Sequence, residues 1–170
     1  MNFVGYVFTT FGYVVYWIGR FSNKKSVMML TNSLSSAFFV VSHYCFGFYS
    51  AIASSILVVL RGLGVNLKDK RKKPMIWLYI LFMAALTMVG VTLWDGVSTE
   101  FLMICMYINM TANWFFDNQE VRLATVVASV FYMISMWSVG NYISMVWEST
   151  IIISNVISYT KYKKIAVSHA

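Results

Sequence analysis

Glu148 lies deep in an apolar stretch, "SMVWESTII", and its chemistry makes the largest demand on its surroundings. A charged side chain near a membrane centre costs about 2.5–3.5 kcal/mol on insertion scales, so such groups face a cavity or a partner. A carboxyl there can bind a solute or relay a proton; the plainer alternative is a hydrogen-bonded bridge between helices. Trp147 beside it can stack on a ligand or pack against neighbouring helices. Asn109 and Asn113 stand four residues apart, on one helix face. Amides in apolar surroundings glue helices together or bind the hydroxyls of a polar solute. The same choice holds for Asn32 and Asn155. Ser33, Ser35 and Ser36, like Ser54 and Ser55, suit close helix packing.

Composition indicates which elements hold these groups. The 170 residues are 59% apolar and 18% aromatic but only 11% charged, against about 25% charged in soluble domains. Mean hydropathy is +0.69. A water-soluble domain of this size could not hide so many Met, Phe, Tyr and Trp side chains, so the expected class is an all-α polytopic membrane protein. A span needs about 20 mostly apolar residues, and seven candidates fit: 3–20, 26–46, 48–66, 74–94, 99–116, 121–139 and 141–160. The first lacks a basic start and a small-residue cleavage site, so it reads as a span rather than a cleavable signal. Gly47 and Gly140 suit the short turns after the second and sixth spans. Cys45 and Cys105 fall inside apolar runs, where they act as small packing groups. No spacing suits a metal, and neither a disulfide nor a cofactor is expected.

The basic residues give a separate handle on topology. With seven spans alternating sides, Arg20, Lys24, Lys25, Arg122, Lys161, Lys163 and Lys164 fall on one face. The run "NLKDKRKKP", with Lys68, Lys70, Arg71, Lys72 and Lys73, joins them, and Pro74 suits the first turn of the fourth helix. The opposite face has Asp95 and Glu100 and no basic residue. This bias places the N-terminus outside and the C-terminus in the cytoplasm. The basic run is expected to touch anionic lipids, and with its charge thus explained no nucleic-acid partner is expected. Arg61 lies about 20 Å from the outer end of the third helix. It can snorkel to the cytoplasmic surface or pair with an internal carboxylate. His43, near the outer turn, suits an interfacial hydrogen bond.

A shift of 93 positions lays "SAFFVVSHYCFGFY" (36–49) over "SVFYMISMWSVGNY" (129–142). Ser36, Phe38, Ser42, Gly47 and Tyr49 meet Ser129, Phe131, Ser135, Gly140 and Tyr142. The expected organisation is therefore a three-helix repeat over 1–66, a basic loop and spacer helix over 67–98, a second repeat over 99–160, and a tail over 161–170. An odd spacer makes the repeats parallel, with a binding site between the halves near the midplane. Ser36 and Ser129 gain weight there as symmetry-related residues.

The runs "FSNKKSVMML", "FFVVSHYCFGFYSA" and "ILVVLRG", with "FDNQEVRLATV", "FYMISMWSVGNYISMVWESTIIISN" and "TKYKK", resemble the YgjV-like family of bacterial inner membrane proteins across nearly the whole chain. The three-plus-one-plus-three plan is also similar to SWEET sugar carriers and to PnuC-type vitamin carriers. Unlike SWEET carriers, the first and fifth helices lack proline, so any rocking would use glycines such as Gly12.

The leading expectation is a small-solute transporter or facilitator. Its candidate binding residues are Glu148, Trp147, Asn109, Asn113, Asn32, Ser36, Ser129 and Asn155. The alternative is a non-transporting membrane scaffold or regulator acting through a partner; a homo-oligomer is compatible with either. A water-filled polar cavity favours the first, and a dry packed interior the second. No nucleophile with its base appears, so an enzyme is not expected. No span carries the internal lysine of a retinal photoreceptor.

Overall fold

The computed structural model describes residues 2–22, 24–71 and 75–168. Among them are seven helices: α1 (Asn2–Arg20), α2 (Lys25–Phe46), α3 (Tyr49–Arg71), α4 (Ile76–Thr92), α5 (Val97–Phe115), α6 (Asn118–Ser138) and α7 (Tyr142–Ser168). Two ends run past expectation. α3 continues through Arg71 and α7 through Ser168, into stretches read as loop and tail. Lys and Arg are good helix formers, so a basic run does not itself end a helix. Lys68, Lys70 and Arg71 thus fall on the last turns of α3, while Lys72, Lys73 and Pro74 lie outside the described residues. α6 starts three residues earlier than expected because Asp117 caps it. The Asp117 carboxylate accepts from the backbone N–H of Gln119 and Glu120, and the Glu120 carboxylate accepts from that of Asp117. This capping box fixes the helix start.

The turns after α2 and α6 are built alike. Gly47 and Gly140 have φ of +72° and +70°. The N–H of Phe48 bonds the His43 carbonyl at 3.0 Å, and that of Asn141 bonds the Met136 carbonyl at 2.9 Å. Gly47 and Gly140 bond Tyr44 and Trp137 in the same register. Both are Schellman stops, which need a left-handed residue. Nothing lies within 4 Å of a Cβ added at either glycine, so Gly47→Ala and Gly140→Ala test backbone conformation without a clash. Each should destabilise the protein by about 1–2 kcal/mol, read as a lowered melting temperature in detergent. An unchanged temperature would mean that the turn forms without a left-handed residue.

The helices pack as two sets. α2 lies against α1 and α3, and α6 against α5 and α7. The sets meet where α1 touches α7 and where α3 touches α5, while α4 rests on α3 and α5. One apolar cluster crosses between them: Phe48 and Ala51 pack with Leu102, Cys105, Ala128, Tyr132 and Met136. Close backbone approach helps within a set. A Cβ at Gly62 of α3 would fall 1.8 Å from the Ser33 hydroxyl oxygen of α2, so the small residues at this crossing bring the two helices together.

The burial pattern is the reverse of a soluble protein's. Buried polar side chains include Thr9, Ser35, Ser42, Ser54, Thr125 and Ser135, while Phe3, Leu30, Trp77, Met88, Val91 and Val146 are each more than 60% exposed. In water such a surface would be an interaction or aggregation site; in hydrocarbon it is the matching one. Among the described residues one helix, Asn118–Ser138, is long and apolar enough by itself to cross a membrane. Tyr49–Val65 and Ile76–Thr92 are apolar but shorter.

Candidate functional site

A cavity of about 80 Å³ lies between α1–α3 on one side and α5–α7 on the other. α4 contributes no lining residue. At about 1.5 Å of rise per residue, His43, Ala51 and Leu102 line the end near the Gly47 and Gly140 turns. Tyr16, Asn32, Asn109 and Arg61 line the opposite, basic end. Glu148, Ser36, Ser55, Tyr13 and Tyr132 lie between.

Glu148 both lines the cavity and bridges helices. It is 8% exposed, and the Ser129 hydroxyl of α6 donates to its carboxyl at 2.5 Å. The Tyr13 hydroxyl of α1 lies within hydrogen-bonding reach of Glu148 and of Tyr132. Three helices therefore converge on one carboxyl, and buried hydroxyls find the acceptor they need. Tyr13 is fixed from its other sides by Trp147, stacked at 6.1 Å and 9°, and by Phe39, edge-on at 4.9 Å.

The sequence candidates divide accordingly. Glu148, Asn109, Asn32 and Ser36 line the cavity, and Ser129 reaches it through Glu148. Trp147 packs on Tyr13 outside the lining. Asn113 shares a helix face with Asn109 but turns its amide to the Asn109 backbone carbonyl at 2.6 Å. Asn155 likewise donates to the Ile151 carbonyl at 2.9 Å, away from the cavity. In both, a carbonyl four residues back offers a nearer acceptor than any solute site.

Arg61 does not snorkel to the surface. It is 2% exposed and lines the cavity. His43 is not interfacial either: it is buried against Phe39 and Phe48 and lines the cavity, with Nδ1 unpartnered. Distance along a helix gives depth, but the side of the helix facing the bundle interior decides burial.

Tyr13, Tyr16 and Tyr132 were not singled out from the sequence. The signal for them lies in the 93-residue shift. Four pairs of lining residues are related by it: Tyr13 and Met106, Tyr16 and Asn109, Phe39 and Tyr132, Ser55 and Glu148. Within these pairs positions are shared although residue types differ, so identity matching passes over them.

An all-helical bundle with an apolar exterior, many buried polar side chains and a carboxyl and an arginine on an internal cavity is a membrane protein. A family model described as bacterial inner membrane protein, Imp-YgjV, matches residues 3–165, and the chain belongs to that family. It is accordingly a protein of the bacterial inner membrane. No curated protein and no solved structure gives a significant match.

Proposed function

We propose that the protein carries or facilitates passage of a small polar solute, bound between two parallel three-helix repeats, α1–α3 and α5–α7, with α4 as spacer. In this reading all seven helices cross the membrane, with the N-terminus outside and the C-terminus in the cytoplasm. The observation that carries it is the cavity: both halves build it, it is lined by a carboxyl, amides and hydroxyls, and four lining pairs obey the 93-residue shift. The matched glycine turns support the repeat. So do Ser42 and Ser135, also 93 apart. Ser42 bonds Thr9 of α1 at 2.5 Å, and Ser135 bonds the Ser98 carbonyl of α5 at 2.7 Å.

Interior polar residues also account for the modest hydropathy of α2, α5 and α7. A helix lining a polar cavity needs an apolar face only towards lipid. The architecture is similar to that of SWEET and PnuC-type carriers, in which the site lies between repeats. Lys68, Lys70, Arg71, Lys72 and Lys73 would then face anionic cytoplasmic lipids.

The test is a melting-temperature screen of the purified protein against sugars, nucleosides, vitamins, amino acids and organic acids, followed by exchange of any hit across proteoliposomes. One solute class should raise the melting temperature with concentration and exchange in a protein-dependent manner. In spheroplasts, a C-terminal tag should resist protease added outside. A panel without shift or exchange would move the scaffold reading ahead.

A further inference from the structure

Three arginines are buried near one another on the basic side of the bundle, and one of them, Arg61, lines the cavity. Arg20, Arg61 and Arg122 are 2%, 2% and 0% exposed. Arg20 lies within electrostatic range of both others. Such a cluster of like charges, taken out of water, is unfavourable unless opposite charge or hydrogen-bond acceptors compensate it.

Among the described residues the compensation is incomplete. Arg20 donates to the Tyr16 hydroxyl and stacks 4.3 Å over that ring, leaving Nη1 without a partner. Arg122 donates to the Ser22 carbonyl at 2.9 Å and the Arg20 carbonyl at 3.4 Å, and lies 4.8 Å over the Tyr162 ring. Its Nε and Nη1 are unpartnered. Arg61 has an unpartnered Nε and faces the cavity directly.

Among the carboxylates whose side chains are described, Asp95 and Glu100 lie at the opposite end of the bundle, beside the start of α5. Asp117 and Glu120 cap α6. Glu148, though within electrostatic range of Arg20, is hydrogen-bonded by Ser129 and lies within reach of Tyr13. By helix rise it is about 9 Å nearer the glycine end than Arg61.

We propose that the basic end of the cavity binds the oxyanion, carboxylate or phosphate, of a small anionic solute. Arg61 is its direct ligand, and Arg20, held by Tyr16, is the second cation. The guanidinium fork matches either oxyanion in a bidentate fashion. Asn32 and Asn109 at the same depth supply neutral donors beside it. Arg122 shapes the site from behind by holding the Ser22 and Arg20 carbonyls. The inference rests on the cavity being the solute site, and it narrows the solute to an anion.

The experiment measures melting temperature in a neutral, lipid-free detergent, adding sodium phosphate or sodium acetate against sodium chloride of equal ionic strength. Wild type, Arg61→Met and Arg61→Lys are compared, and phosphatidylglycerol in mixed micelles forms a separate arm. Phosphate or acetate should raise the wild-type melting temperature saturably. Arg61→Lys should weaken the apparent affinity at least tenfold, because it keeps the charge and loses the fork. Arg61→Met should lose the response. It should also melt at or above wild type in chloride alone, because an uncompensated charge has been removed.

A response equal in all three proteins, or seen only with phosphatidylglycerol, overturns the proposal; so does Arg61→Met melting far below wild type in chloride while Arg61→Lys responds like wild type. Oxyanion binding without proteoliposome exchange would keep this site and remove the carrier reading. Exchange of neutral solutes only would do the reverse.

Discussion

Replacing Glu148 with alanine should destabilise the protein by about 2–4 kcal/mol, and replacing it with glutamine should leave stability within about 1 kcal/mol of wild type. Alanine strands the Ser129 hydroxyl, which donates to the carboxyl at 2.5 Å, and deprives the Tyr13 hydroxyl of an acceptor within reach. Each buried donor left unmet costs about 1–3 kcal/mol. Tyr13 retains Tyr132 as a neighbour, which keeps the total below the sum of two full penalties. Glutamine preserves an acceptor oxygen and removes a charge that is unfavourable at this depth, and these changes oppose one another. The functional result separates the two roles that the geometry combines. If Glu148 reads the solute, glutamine weakens solute-dependent stabilisation at least tenfold, about 1.4 kcal/mol, while the apo protein melts normally. If the carboxyl only joins α1, α6 and α7, glutamine keeps the full solute response. Ser129→Ala serves as the companion measurement. It removes one hydrogen bond without touching the cavity lining, so it should lower stability by about 1 kcal/mol and leave solute affinity within a factor of a few.

Glu148, Asn109, Asn32 and Ser36 could be found from the sequence because a polar residue in an apolar run has few reasons to be there. The tyrosines could not be found in this way. A Tyr in such a chain serves equally at a lipid interface, in a packed core or in a cavity wall, and only the arrangement of helices chooses among these. Arg61 shows the complementary gap. Its depth followed from counting residues, whereas its burial depends on the direction it points from α3. Asn113 and Asn155 show a third limit. Both look like site residues, yet each donates its amide N–H to a carbonyl of its own helix, a competition that spacing alone does not resolve. The helix order was legible throughout; the two ends that ran past expectation lie where basic residues resemble a loop in composition but not in helix propensity.

Trp114→Ala should be among the most destabilising single substitutions in the protein, at about 3–5 kcal/mol. Trp114 is fully buried on α5 and packs with Met29 of α2 and Val65 of α3. Tyr79 and Phe82 of α4 bring their rings to 6.0 and 6.3 Å from it. One indole therefore joins four helices, and it anchors the start of α4, whose Leu86 and Gly90 are buried further along. Tyr79 adds a hydrogen bond to Thr111 at 3.1 Å, and Thr87 one to Tyr107 at 2.8 Å, but these are partly buried or exposed and individually modest. In a bilayer, lipid tails offer as apolar a home as the core does, so the loss comes from packing and the void left behind rather than from transfer out of water. That places the expected value towards the lower end of the range, and Trp114→Phe, which keeps most of the contact, should cost less than half as much. The control is Trp77→Ala, also on α4. Trp77 is 64% exposed, so its removal should change thermal stability by no more than about 0.5 kcal/mol. If Trp77→Ala matched Trp114→Ala, the outer face of α4 would have to be covered by another protein surface, and the helix would be an assembly element rather than a strut held from within.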